Sequence, residues 1–486
     1  MLFNSLGFAL FLPVVFFLYW FVTSKNLKAQ NLLLLAASYF FYSCWDYRFL
    51  FLLVFSTFLD FYTGQRIYRA ENPRSKKFWL WLSVGVNLGL LGVFKYYNFF
   101  VDSLTGALAS AGVGVSFNTL DVILPVGISF YTFHGLSYVF DIHNGRSKPT
   151  DNFVDYSVFV SFFPLLVAGP IERATHLLPQ IEKPRKFNYP QAVNGMRQIL
   201  WGYFKKVAIA DNCAEYANMI FNNHTHYPGS VLVLGAVLFS IQIYCDFSGY
   251  SDIALGVARL FGIELLRNFA FPFFSRDIAE FWRRWHISLS SWFKDYLYIP
   301  LGGSKVSTAK RVRNTIIIFV TSGLWHGAAW TYVVWGALNA LYIIPSVLMK
   351  SNRSNLDIVA QGKLFPTFRE VVAMVITFAL TTLALAVFRS ADIPHAISFI
   401  GGIFNKSILT VPSGAMLMGG SVNIAALLII VLIFMVMEWL GRENRFANET
   451  TGDNWPRPFR WAFYFVIAIS TLYLTGIPQQ FVYFQF

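Results

Sequence analysis

Two histidines carry the chemistry that this chain can offer: His286 in FWRRWHISLSSW and His326 in SGLWHGAAW, both in aromatic surroundings. A polar, titratable ring in an apolar setting needs a reason, because unpaired polar groups are costly at low dielectric. His326 follows an apolar run and is flanked by Gly323 and Gly327, which let backbone or substrate approach closely, while Trp325 and Trp330 line the niche. An imidazole that titrates near neutrality is suited to taking a proton from an attacking hydroxyl or thiol. The competing account is a core histidine bonded to a carbonyl. Inside a membrane span an ionisable group is a functional candidate by default, and that reading is preferred.

His286 is more evenly balanced. Over 276–300, Ile278, Phe281, Trp282, Trp285, Leu289, Trp292, Phe293 and Tyr296 recur at spacings of three and four. That period predicts one amphipathic helix with a broad apolar face into which His286 points. Arg283, Arg284 and Lys294 lie off the face, and Glu280 can pair with Arg284 at i,i+4. The pattern fits an interfacial helix that dips one histidine inward. It fits equally a basic interfacial helix whose histidine is only hydrogen-bonded. Upstream, YCDFSGYSDIALG packs Asp246, Ser248, Tyr250, Ser251 and Asp252 into an apolar environment, with Gly249 allowing a tight turn and Ser251 or Asp252 capping a helix over 253–261. Capping and pinning of a site wall suit these residues better than catalysis.

The elements that must hold these residues belong to a membrane protein. Hydrophobic residues make up 56% of 486 and charged residues only 13%, about half the usual share in soluble domains. The 52 Phe, 24 Tyr and 14 Trp suggest dense aromatic packing and interfacial belts. A net charge of +13 would suit nucleic acid, but the basic residues fall in short stretches between apolar runs, so membrane topology accounts for them. Cys44, Cys213 and Cys245 are scattered, with no CxxC spacing, and imply neither a disulfide framework nor a metal site.

A span needs ~20 apolar residues. Candidates lie at 3–22, 32–44, 49–64, 78–94, 123–140, 156–167, 231–244, 315–324, 331–348, 371–388, 422–437 and 461–475. Several are too short to cross alone, which implies tilted, broken or re-entrant pieces. The expectation is an all-α polytopic protein with about eleven crossings plus half-helices, forming one integral membrane domain over 1–486. No basic residue precedes Lys25, so the first span is retained, and Lys25 and Lys28 after it place the amino terminus outside. Basic clusters at Arg66–Lys77, Lys305–Arg313, Lys350–Arg369 and Arg442–Arg460 mark the cytoplasmic side, which puts the carboxyl terminus outside as well.

There is no Walker A, dinucleotide fingerprint, G-x-S-x-G or H-E-x-x-H motif. His224 and His226 form an isolated pair in a polar loop. LGGSK at 301–305 could set phosphates against backbone N–H groups and Lys305, with Arg311 close by. Positive-inside bias explains the same residues without a ligand.

At LPVVFFLYW, ASYFFYSCWDYRFLFLL, ILPVGISFYTFHGLSYVFDI, FFPLLVAGPIER, YCDFSGYSD, FWRRWHISLSSW and LWHG, the chain resembles the membrane-bound O-acyltransferase superfamily. The nearest branch is the one that acetylates alginate, and the branch that D-alanylates teichoic acid is more distant. The resemblance implies that His326 is the catalytic histidine and His286 its second, within a core at about 120–350. It also implies a thin protein ring around a central tunnel that Trp285, Trp325, Asp246, Tyr250 and Ser251 help to line. Acetyl-CoA would enter from the cytoplasm of a bacterium and no metal would be needed. The acceptor would be an exported polysaccharide, served through a periplasmic esterase-like acetyltransferase. The tail at 477–486, IPQQFVYFQF, carries no charged side chain and resembles the aromatic carboxyl-terminal motif of the small membrane partner in teichoic-acid D-alanylation. That likeness makes Tyr483 a candidate acyl relay, against a simple greasy plug. The rivals are D-alanyl transfer from a carrier protein, acylation of a protein or lipid, and a transporter with His326 as proton relay.

Overall fold

The computed structural model describes residues 1–115, 117–121, 123–166, 169–412 and 419–482, and among these every regular element is helical. Four helical stretches are long and apolar enough to cross a membrane: Pro73–Ser110, Gly229–Leu260, Trp330–Leu348 and Phe368–Arg389. Leu6–Val22, Ile393–Ile403 and Ile424–Leu440 are shorter apolar helices.

The chain divides into two compact units. The first comprises Met1–Ala192 and Val257–Leu266. Its helices are α1 (Leu6–Phe17), α2 (Leu27–Ser43), α3 (Arg48–Arg69), α4 (Pro73–Leu91), α5 (Tyr97–Ser110), α6 (Ile128–His143), α7 (Phe153–Ser161), α8 (Phe163–Leu166) and α9 (Ala174–Ile181). Their starts follow from local chemistry. Ser5, Asn26, Asn72 and Asn152 accept from backbone N–H groups of the first turns, and Pro73 supplies a first residue with no N–H to leave idle. Between α3 and α4 the buried Asp60 accepts from Ser83 (2.6 Å) and Asn87 (2.8 Å), so these three polar side chains satisfy one another. Glu172, also buried, accepts from Leu266 N (2.5 Å) and from His176 Nδ1 (2.9 Å).

The second unit comprises Val193–Gly256 and Arg267–Phe486. Two helices, α10 (Tyr189–Tyr203) and α12 (Gly229–Leu260), begin or end in the first unit and run mostly in the second; α11 (Asp211–Asn222) lies between them. Then come α13 (Ile278–Arg284), α14 (Ile287–Phe293), α15 (Thr308–His326), α16 (Trp330–Leu348), α17 (Phe368–Arg389), α18 (Ile393–Ile403), α19 (Ile424–Leu440) and α20 (Arg457–Tyr473). A capping box between Thr367 and Glu370 opens α17.

The structure departs from the sequence reading in four places. α12 is continuous through 244–253, so Gly249 makes no turn and Ser251 and Asp252 cap nothing. Gly249 instead serves close packing: a Cβ there would lie 2.8 Å from the Gly202 carbonyl oxygen of α10. The expected single helix over 276–300 is broken at His286 into α13 and α14. Lys310, Arg311 and Arg313 lie within the start of α15 and not in a loop. Finally α5, α9, α10, α11 and α18 had no counterpart among the expected spans: the first four mix polar residues into their helical period, and α18 is apolar but only 11 residues long.

Candidate active site

All the elements of the site lie in the second unit. His286 is held by a non-helical link. Asp277 caps α13 by accepting from Glu280 N (2.7 Å), and the buried Glu280 is bracketed by Arg276 (3.1 Å) and Arg284 (2.8 Å). The helix ends in Trp285, which is extended at φ −103°, ψ 128°. His286 then adopts the left-handed conformation, φ 43°, ψ 53°, and α14 restarts with its carbonyl accepting from Ser290 N (3.0 Å). The break is fixed from outside. Ala270 N donates to Arg284 O (2.9 Å) and Ile287 N donates to Asn268 O (2.8 Å), so a non-helical segment at 268–270 takes the bonds that a continuous helix would have made. A non-glycine residue in this region carries about 1–2 kcal/mol of steric cost and persists where its surroundings over-determine it.

His326 is placed by a different device. It is the last residue of α15, and α15 packs against α16 at backbone distance. A Cβ on Gly323 would collide with the Tyr332 carbonyl, and one on Gly336 with the Phe319 carbonyl. That approach brings Trp335 edge-on to the His326 ring at 5.1 Å between centroids, with Trp325 at 5.1 Å and Phe388 of α17 at 5.6 Å. His286 sits edge-on to Phe247 at 4.7 Å, and Trp325 lies 5.7 Å from it. The two imidazoles are 6.2 Å apart, both buried. Two rings at that separation inside an aromatic wall can address one small reacting group, one moving a proton and the other holding an oxygen.

Residues 150–386 match the sequence model of MBOAT, the membrane-bound O-acyltransferase family. The probable alginate O-acetylase AlgI of Azotobacter vinelandii is 38% identical over 444 residues, which is 91% of this chain and 85% of that protein. The chain belongs to the membrane-bound O-acyltransferase family. It is therefore an acyltransferase and a multi-pass membrane protein. A peptidoglycan O-acetyltransferase of Helicobacter pylori is similar at 35% over 81% of this chain and 77% of its own length. A teichoic acid D-alanyltransferase of Bacillus subtilis is 29% identical over 57% of this chain and 71% of its own length.

For this acyltransferase the other expected site residues fall into three groups. Trp325 packs beside both imidazoles, while Trp285 stacks on Phe281 (5.4 Å) and packs edge-on against Phe269 (5.1 Å). Asp246, Tyr250 and Ser251 project from α12 into a polar and aromatic wall. Asp246 pairs with Lys206 (2.7 Å), which also reaches Asp211 (2.8 Å). Asp246 also accepts from Val482 N (2.7 Å), and Lys206 donates to Gln479 O (3.1 Å), so the carboxyl-terminal strap is held by buried charges. Phe481 in that strap packs on Tyr250 at 4.3 Å, and Ser251 Oγ accepts from Asn268 (2.9 Å). Tyr483 lies outside the described residues. In the third group, Lys305 is exposed and Arg311 donates to Thr308 (2.8 Å); neither lines the neighbouring cavity.

That cavity, of about 480 Å³, is lined by Trp282, Ile287, Ser290, Phe319 and Ile343, with Arg283, Lys294 and Arg353 among its polar residues. Its wall residue Trp282 packs on Trp335 (5.7 Å), which in turn meets His326. Sequence reasoning missed Asn268, Lys206, Trp335 and Phe388. The two aromatics were hidden in uniformly apolar helices, while Lys206 in GYFKKVAIA was a visible signal: a lysine amid apolar residues implies a buried partner.

Proposed function

We propose that this protein transfers acetyl groups from cytoplasmic acetyl-CoA toward an exported polysaccharide, as an O-acetyltransferase of a bacterial cytoplasmic membrane with both termini on the periplasmic side. The observation that carries the proposal is the imidazole pair at 6.2 Å behind a cavity whose wall leads through Trp282 and Trp335 to His326. Arg283, Lys294 and Arg353 suit the phosphates of a CoA-type donor, and the apolar floor suits its pantetheine arm. The indole N–H of Trp282 is buried without a hydrogen-bond partner among the described residues, and is a donor for a polar group of that arm. The ring box of Trp325, Trp335 and Phe388 around His326 suits a short acyl group.

In the reaction His326 takes the proton of the acceptor hydroxyl as that oxygen attacks the thioester carbonyl carbon. The C–S bond breaks and the departing thiolate receives the proton, giving an O-acetyl ester and free CoA. His286 orients the carbonyl oxygen. Acetylation is favoured over D-alanylation because the O-acetylating relatives align over more of the chain at higher identity.

The strap at 474–482 supports a second step. It runs over Tyr250 toward Phe247, the ring that packs on His286, and Tyr483 follows it directly. Tyr483 is proposed to accept acetyl and hand it to a periplasmic esterase-like partner. The test of the whole reading uses purified protein in liposomes with acetyl-labelled acetyl-CoA. Wild type releases CoA and labels an acceptor, and His326→Ala and His326→Gln lose ~10²–10⁴-fold of that rate. Either variant keeping more than half of wild-type transfer removes His326 from the mechanism, and substrate movement without CoA release makes the protein a transporter.

A further inference from the structure

We infer that Asn268 is a positioning residue for His286, acting through the left-handed peptide on which that imidazole is mounted. Asn268 is buried in the non-helical segment between α12 and α13. It makes three bonds in three directions. Its Nδ2 donates to Ser251 Oγ of α12 (2.9 Å), its Oδ1 accepts from Ser288 Oγ of α14 (2.6 Å), and its main-chain oxygen accepts from Ile287 N (2.8 Å).

The last two partners are the residues that immediately follow His286, so Asn268 grips the exit of the bend by both main chain and side chain. The first partner completes the geometry. Ser251 lies four residues after Phe247 on α12, one helical turn along the same face, and Phe247 is the ring that packs edge-on to His286. One carboxamide therefore ties the peptide carrying the imidazole to the helix face that packs against the imidazole. Without that link the positive φ of His286 loses one of the contacts that over-determine it, and the ring is free to swing out of line with His326. A misplacement of about 1 Å costs a reaction up to ~10²-fold, which is the scale expected here.

This inference rests on the reading of His286 as part of the transfer site, and the experiment separates the two. Full-length protein in liposomes is assayed for acetyl transfer as Asn268→Ala, Asn268→Asp, Ser288→Ala and His286→Asn, and as the double variant Asn268→Ala/His286→Asn. The expected result is a kcat lowered roughly 10- to 100-fold in Asn268→Ala, with KM for acetyl-CoA within about twofold of wild type. Asn268→Asp recovers most of it, since a carboxylate accepts from both serine hydroxyls. Ser288→Ala, which removes one bond of the three, gives a smaller loss of the same kind and serves where Asn268→Ala does not accumulate. In the His286→Asn background the Asn268→Ala change adds little, because both act on one imidazole. A purely structural asparagine would give equal losses in both backgrounds, and that result, or wild-type kcat in Asn268→Ala and Ser288→Ala while His286→Asn is impaired, overturns the inference alone. Wild-type transfer by His286→Asn and His286→Ala together overturns the site reading and this inference with it.

Discussion

Substitutions at His286 separate the work of its ring from the work of its backbone. At φ 43° and ψ 53° a residue with a Cβ carries about 1–2 kcal/mol of steric cost. Glycine is free of that cost but gives up roughly 0.5–1 kcal/mol of unfolded-chain entropy, which leaves His286→Gly more stable than His286→Ala by about 1 kcal/mol or less. Asparagine tolerates the left-handed region better than most side chains and keeps a polar head in the niche between Phe247 and Trp325. The stability order is therefore wild type, His286→Asn, His286→Gly, His286→Ala, with ~1–2 °C between the last two in a chain of this size.

The activity order is different. His286→Gly and His286→Ala both lack the ring and lose transfer equally, whereas His286→Asn keeps a hydrogen-bonding group and is milder. Melting of the detergent-solubilised variants by fluorescence-detected size exclusion, beside acetyl transfer in liposomes, reads both orders at once. If His286→Gly melts no higher than His286→Ala, the backbone argument is wrong. If His286→Asn is as dead as His286→Ala, the ionisation of His286 matters and its role is proton transfer and not orientation.

Three further outcomes are expected. Gly249→Ala sets a Cβ 2.8 Å from the Gly202 carbonyl and 3.1 Å from Lys206 N, an overpacking of ~1–3 kcal/mol that lowers both yield and melting temperature; unchanged melting would show that α10 and α12 yield freely. Hydrogen bonding to Glu172 holds the His176 imidazole above its ordinary value, so that contribution is complete below about pH 6.5 and is lost as pH rises through the raised value. Melting of wild type should accordingly fall more steeply than that of His176→Ala on going from mildly acid to mildly alkaline buffer, and parallel profiles would refute the coupling. Tyr483→Phe keeps the packing of the tail but removes the hydroxyl, and is expected to lose glycan acetylation; wild-type acetylation with no acetyl-tyrosine peptide by mass spectrometry would make the tail a plug.

The burial of the two histidines was legible from sequence because an imidazole set among tryptophans in LWHG and RRWHIS is conspicuous. The break at His286 was not legible. Trp285 and Leu289 continue the same apolar period on either side of it, and no proline or glycine marks it. What breaks the helix is the bonding of Ala270 and Asn268 to Arg284 and Ile287, residues fourteen and nineteen positions apart in sequence, and periodicity carries no record of such a partner. Gly249 misled for the related reason that a glycine needed for close approach and a glycine needed for a turn look alike until the neighbouring helix is placed.

The two imidazoles are thus held by mechanisms that share little. His326 depends on the backbone contact of α15 and α16 at Gly323 and Gly336, a packing device spread over two long helices. His286 depends on a few hydrogen bonds to the non-helical segment at 268–270, with the face of α12 that carries Phe247 and Ser251 behind it. Packing of long helices resists displacement as a whole, whereas a strained bend held by a handful of bonds depends on each of them. Of the two placements, that of His286 should therefore be the one that a single lost hydrogen bond perturbs, whereas that of His326 should shift only when the packing of α15 on α16 is changed.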